Sequence, residues 1–256
     1  MSQSIKNFFS SISSIHDFNQ LAVKTGKNMR SGQMFSFKSN SYSKIASDII
    51  EKIKLSTDDN LLDAGGGAGD IALLLSTCCQ KITVLDGSSY AIDIAQKNIN
   101  SNHANFIVHD LENPLPFKDN EFSAIVCYSV IHYLKNKESF SLLLKEFLRI
   151  LSPNGRLLIG DIPLKDKYEK NMLSRQTRPF YNFLKNTQYL LKKYITDFFY
   201  RYQRLVIIPK LRPQYTKSLL EDILKNHSNI EYQFLLQPKD FPFSDSREDL
   251  LIKKCS

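Results

Sequence analysis

The sequence predicts an α/β protein built on a doubly wound sheet, mostly parallel with an antiparallel last strand. Three observations carry that prediction. From Asn60 to about residue 161, short apolar runs alternate with helix-length segments. A glycine-rich turn, Gly65-Gly66-Gly67-Ala68-Gly69, joins the first of these runs to its helix. The last two strand-like runs lie too close together for a helical crossover, so they pair antiparallel. At 256 residues and 42% hydrophobic, the chain has apolar surface enough for one large core and too much for disorder. No run of 18 apolar residues occurs, and Ser, Asn and His interrupt the apolar positions of the first twenty, so neither a membrane span nor a secretory leader is expected. Cys78, Cys79, Cys127 and Cys255 form no CxxC pair, which fits free thiols and a cytoplasmic protein.

Each element follows from its pattern. Ile5, Phe8, Phe9, Ile12, Ile15 and Phe18 recur at spacings of three and four, predicting an amphipathic helix over 5–21. A second helix is expected over 42–54. Strands are expected at 60–64, 81–85, 105–108, 122–127 and 156–161, with helices from Asp70, at 89–100 and at 137–151 between them. Ser152-Pro153-Asn154-Gly155 reads as a stop-and-turn signal ending the last of these helices. A helix at 216–227 and strands at 229–236 and 248–254 close the pattern. The domain reading is an N-terminal helical lid or flank over 1–41, then one domain over 42–256 interrupted by an insert at 164–214. The insert holds twelve Lys and Arg against three Asp and Glu, so it carries the whole net charge of +8. The rest of the chain is close to neutral.

The glycine loop follows an apolar strand, Leu61-Leu62-Asp63-Ala64, and opens directly into a helix. Four glycines in five positions exceed the needs of a tight turn and let the backbone approach a ligand with its N–H groups. Asp86 ends the second strand 21 residues beyond Gly65, close to the roughly 20-residue spacing at which an acid accepts from ribose hydroxyls. Both features fall at the carboxyl edge of the sheet. A ribose-bearing ligand is the expectation.

The phase of the loop, Asp63-x-Gly65-x-Gly67-x-Gly69, differs from the dinucleotide pattern G-x-G-x-x-G. With Asp86-Gly87-Ser88, His109-Asp110, Ser129-Val130-Ile131-His132-Tyr133-Leu134 and Arg149-Ile150-Leu151-Ser152-Pro153-Asn154-Gly155, it resembles the class I S-adenosylmethionine-dependent methyltransferases over about residues 42–162. The resemblance implies a Rossmann-like fold and S-adenosyl-L-methionine as cofactor. It places Gly65, Gly67 and Gly69 against the cofactor's amino-acid part, with Asp63 ordering the loop and helping to hold the ammonium. It assigns Asp86 to the ribose hydroxyls, Asp110 to the adenine amino group and Leu111 to the ring edge. Tyr128 and Ser129 pass under the methionine, and Tyr42 is the expected contact from the N-terminal side. The chain departs from the usual pattern at Gly66, which is often larger, and at Gly87, which is often apolar.

For a hydroxyl acceptor a base is needed, and His132, Asp161 and Tyr133 stand near the sheet edge. His132 is the first choice because a free imidazole titrates nearest neutrality; each of the three also has a purely structural reading. His16, His103, His109 and His227 lack metal-ligand spacing, so no metal is expected. The expected acceptor is a small molecule or a glycan- or lipid-linked compound bearing an anionic group, methylated at oxygen or nitrogen. Pro179 and Pro209 bracket an amphipathic stretch of the insert, including Phe183, Leu191, Tyr194, Phe198 and Tyr202 with Lys192, Lys193, Arg201 and Arg204 around it. That stretch is expected as a helical cap over the acceptor, as a peripheral membrane contact, or as packing alone. RNA methylation is the runner-up, because basic residues interleave with aromatics there. A nicotinamide-dependent reductase and a cofactor-binding subunit without activity are the other readings.

Overall fold

The computed structural model describes residues 41–99, 102–168, 215–241 and 244–256. The expected helix over 5–21 and the body of the insert, 169–214, lie outside the described residues. Helix α1, Ser41–Ile53, buries Ile45, Ala46, Ile49 and Ile53 along one stripe. Strand β1, Asn60–Ala64, leads through the glycine loop into helix α2, Asp70–Leu75. Strand β2, Lys81–Asp86, and helix α3, Ser89–Asn98, repeat the unit, with Ser88 as N-cap accepting from Ala91 N–H at 3.3 Å. Strand β3 is Ala104–Val108 and strand β4 Phe122–Tyr128, followed by a 3-10 turn, Ile131–Tyr133. Helix α4, Lys137–Ile150, is capped by Asn136, whose side chain accepts from Ser139 N–H at 2.8 Å. Strand β5, Leu151–Pro163, helix α5, Lys217–Leu224, strand β6, Ile230–Leu236, and strand β7, Arg247–Lys254, complete the domain.

The seven strands lie in the order β3-β2-β1-β4-β5-β7-β6. The first five are parallel, and β7 runs antiparallel to both β5 and β6. Chain order reverses between β1 and β4, which opens a crevice at their carboxyl ends, where doubly wound folds bind ligands. One apolar layer packs Phe140, Leu144 and Phe147 of α4 with Tyr215 and Leu220 against the sheet; the other packs Ile45, Ile49, Leu75, Ile92 and Ala95 against its opposite face. No helix among the described residues is long and apolar enough to cross a membrane.

The expected turn at 152–155 becomes part of a strand. Leu151 pairs with Phe122 and Arg156 with Ala124, so four residues of β5 stand opposite Ser123 alone. Asn154 takes up the left-handed conformation there, at φ 62°, which asparagine tolerates. The turn residues thus make a bulge, and β5 starts five residues earlier than the pattern suggested.

The insert leaves and re-enters at one point. Leu164 and Tyr215 form a parallel β-bridge, and Lys165 N–H donates to Tyr215 O at 2.8 Å. Tyr215 is fully buried, and its hydroxyl donates to Ile131 O at 3.1 Å. The base of the insert is therefore fastened to the turn that carries His132.

Candidate active site

The glycine loop is built by its backbone. Gly65, Gly67 and Gly69 have φ of 81°, 55° and 79°, the left-handed region where side chains are strained. Gly65 and Gly66 N–H groups both donate to Leu85 O, at 2.7 and 3.1 Å, so the loop folds over the end of β2. At Gly66 a Cβ would stand 2.6 Å from Asp63 Oδ2 and 2.7 Å from Val84. The unusual glycine at this position therefore makes room for the Asp63 carboxyl. Gly87 has open space around it, with His109 O at 3.9 Å as its nearest neighbour, so an apolar residue would also fit.

Asp63 is buried, and its Oδ2 has no hydrogen-bond partner. Burial, with the Asp86 charge second, pushes its pKa up to about 7. Asp86 is fixed in place, with Oδ2 accepting from Gly67 N–H and Oδ1 from Ser88 N–H, each at 2.9 Å. The two acids expected to hold the ligand thus flank one loop. Asp110 is exposed and its Oδ1 accepts from Glu112 N–H at 3.0 Å, while Leu111 leans on the α4 side of the core. Tyr42 sits half-buried in the first turn of α1.

At the ends of β4 and β5 the side chains form a polar network. Tyr128 turns its ring towards the α1 side and packs over Gly160, where a Cβ would lie 2.2 Å from Cδ2. Ser129 and Asp161, at adjacent strand ends, are both left-handed, at φ 61° and 60°. Ser129 N–H donates to Gly160 O at 3.0 Å, and its side chain hydrogen-bonds Asp161. Asp161 is buried, ion-paired with Arg247, and its backbone N–H donates to Asp249 Oδ1 at 2.7 Å. Gln237 Nε2 lies 3.2 Å from Tyr128 Oη, 3.1 Å from Asp249 Oδ1 and 3.4 Å from Asp161 Oδ1. Asp249 Oδ2 in turn accepts from Lys52 Nζ at 2.6 Å, and Lys52 also bonds Asp48 at 2.6 Å.

His132 does not meet the expectation of an imidazole titrating near neutrality. It is 5% exposed, its ring lies tilted against that of Tyr133 with centroids 4.2 Å apart, and its Nδ1 has no partner. Burial, and then the Arg247 charge, lower its pKa to about 3. Desolvation raises Tyr133 to about 12 and also raises Asp161, although the Arg247 charge opposes both. His132 and Asp161 share one physical reason, since the strand ends bury both, whereas Tyr133 stays 37% exposed.

Residues 62–159 match the family model described as a methyltransferase domain. The match runs from β1 into β5, the segment that holds the glycine loop. Nodulation protein S of Rhizobium tropici is 32% identical over 103 residues, 40% of this chain and 42% of that protein. The ubiquinone biosynthesis O-methyltransferase of Rickettsia bellii is 30% identical over 123 residues, 44% of this chain and 48% of that protein. The chain thus spans about half the length of the curated relatives it matches. The crystal structure of the N-methyltransferase NodS from Bradyrhizobium japonicum, in complex with S-adenosyl-L-homocysteine, superposes with a TM-score of 0.56 over 93% of this chain and 99% of that one, at 13% identity. That likeness establishes the fold.

The residues around the glycine loop fit S-adenosylmethionine, the cofactor that the sequence resemblance implies. Asp63 supplies a buried acceptor without a donor, suited to an ammonium group; Asp86 presents an immobilised carboxylate; and the glycines leave the backbone open to close approach. The sequence reading missed Gln237, Arg247, Asp249 and Gly160. Its only available signal was Arg247-Glu248-Asp249, three charges in a row at the mouth of a strand whose next residues are apolar.

Proposed function

We propose that the chain transfers a methyl group from S-adenosylmethionine to a nitrogen or oxygen of a small-molecule or glycan-like acceptor. The observation that carries this reading is the partnerless buried Asp63 carboxyl beneath a left-handed glycine loop whose Gly67 N–H holds Asp86. Relatives named as an N-methyltransferase and as a ubiquinone biosynthesis O-methyltransferase support the acceptor class. When bound, S-adenosylmethionine supplies an electrophilic sulfonium methyl; the carbon–sulfur electron pair stays on sulfur, and the acceptor gives up one proton. Asp63 and Asp86 hold and orient the cofactor in this reading, and the crevice between β1 and β4 receives it. His132 at a pKa of about 3 is neutral across the physiological range and too weakly basic to ionise a hydroxyl. The chain therefore contributes chiefly by alignment and exclusion of water.

The test incubates the full chain with methyl-labelled S-adenosylmethionine and fractionated cell extract. Label in the small-molecule fractions is the expected result. Label in RNA would replace the acceptor class, and absence of label from every fraction would leave a cofactor-binding subunit.

A further inference from the structure

Strand β5 breaks register shortly before its end. Ile159 pairs with Leu250 of β7 and Ile162 with Glu248, so Gly160 and Asp161 together stand opposite Asp249. A bulge of this kind takes a backbone N–H off the ladder. Here the Asp161 N–H, on a residue in the left-handed conformation at φ 60°, donates to the Asp249 side chain, at 2.7 Å from Oδ1. Asp249 is fully buried and takes two more donors, Gln237 Nε2 at 3.1 Å and, on Oδ2, Lys52 Nζ at 2.6 Å. Replacing a buried ion pair by packed apolar side chains is often neutral or stabilising, so stability alone does not account for this one. The other side of the bulge gives it a use. Gly160 O accepts from Ser129 N–H at 3.0 Å, just past the end of β4. The next side chain, Val130, lies on Gly65, where a Cβ would stand 2.5 Å from Val130 Cγ2. Direct contacts thus run from Asp249 to the first glycine of the loop.

We propose that Asp249 is a positioning residue for cofactor binding: by holding the bulge it sets where Ser129 and Val130 stand against Gly65, the side of the crevice that β4 supplies. The inference rests on the methyl-transfer reading and deepens it, because Asp249 acts through the bulge and not on the reacting atoms. Ser129 and Asp161 are both left-handed, a conformation that residues other than glycine keep only where their surroundings hold them. At Asp161 the holder is a carboxylate on another strand. A carboxylate suits that task because its two oxygens accept several donors at once. Asp249 takes one from the β5 backbone, one from the residue after β6 and one from α1. The β4 side of the crevice is in this way tied to three elements beyond the strands that form it.

The test compares two variants of the full chain. Asp249→Leu fills the space without an acceptor; Asp249→Asn keeps an oxygen for the Asp161 N–H and Gln237, while Lys52 keeps Asp48. Leu220→Ala, in the apolar layer of α5, lowers stability without altering the bulge and is the control for a merely structural role. Calorimetry with S-adenosylhomocysteine is run well below each thermal midpoint. Asp249→Leu should bind about tenfold more weakly, the worth of one hydrogen bond, and Asp249→Asn should stay within about threefold of the unaltered chain. Leu220→Ala should bind as the unaltered chain does. Without ligand, the nitrogen-15 amide resonances of Ser129 and Val130 should move in Asp249→Leu and hold in Leu220→Ala. Val130→Ala removes the methyl groups that face Gly65 and leaves β7 alone; it should also weaken S-adenosylhomocysteine, and it decides if Asp249→Leu does not fold. Full affinity in a folded Asp249→Leu or in Val130→Ala, or equal weakening in Leu220→Ala, would overturn the proposal. If the unaltered chain binds no S-adenosylhomocysteine, the methyl-transfer reading falls and the amide resonances decide the positioning. Their staying in place in Asp249→Leu overturns it.

Discussion

Asp63 is the residue whose surroundings most alter its chemistry. Its folded pKa, about 7, lies above the ordinary 3.8, so protonation favours the folded state. The stability it contributes is complete below about pH 4 and is lost as pH rises to about 7. Asp63→Asn removes that dependence. In urea unfolding at pH 5 and pH 8, the unaltered chain should lose on the order of 2–4 kcal/mol relative to the variant, most of it between those pH values. Identical pH slopes would mean that the carboxyl is solvated. At Asp86, replacement by Ala removes the proposed ribose acceptor and strands the Gly67 and Ser88 N–H groups. Calorimetry with S-adenosylhomocysteine should show at least about tenfold weakening, with about 1–3 kcal/mol lost from the fold. Asp86 was singled out in the sequence by its 21-residue interval from the loop, and Asp63 by the loop pattern that resembles the methyltransferase family. Gln237 was not legible, since its three partners come from β4, β5 and β7, and no sequence interval records that meeting.

Among the elements, β5 departs most from its local signals. Ser152-Pro153-Asn154-Gly155 has every mark of a turn, but Leu151 and Arg156 both pair with β4, and the sheet absorbs the turn as a bulge. Local chemistry was read correctly; the pairing that overrides it is tertiary. At the other end of β5, Gly160 has no left-handed φ and is needed for space alone, because the Tyr128 ring lies where its Cβ would be. Gly160→Ala should cost about 1–3 kcal/mol in chemical denaturation, and Tyr128→Leu in the same chain should return part of it. A cost confined to Gly160→Ala and untouched by the second change would point to backbone strain instead. The bridge between Leu164 and Tyr215 makes a third expectation. With the stems already joined, replacing residues 169–211 by a short Gly/Ser linker should keep the thermal midpoint within about 5 °C, since closing a shorter loop costs little. S-adenosylhomocysteine should still bind. Turnover of a labelled acceptor then separates an insert that forms the acceptor site, where it is lost, from one that only packs, where it persists.

At the scale of the whole molecule, alternating strand and helix signals gave every described α-helix and strand except the start of β5 to within about three residues, including the antiparallel pair at the end. What the pattern did not reveal is the order of that pair in the sheet. β7 lies between β5 and β6, and β6 reaches the sheet through β7 alone. The same arrangement has a consequence in time. Synthesis makes β6 before β7, so a growing chain holds β6 with nowhere to dock and β5 with an open hydrogen-bonding edge, the kind of edge that recruits other chains. The strand that closes this gap also carries Asp249, whose burial requires Lys52 from the opposite end of the domain to be in place. The sheet can therefore be finished only by its last-made strand and only around an already seated α1. A chain halted before Arg247 should remain in the supernatant when a chaperone that shields strand edges is supplied and sediment without it, while the full chain stays dispersed in both.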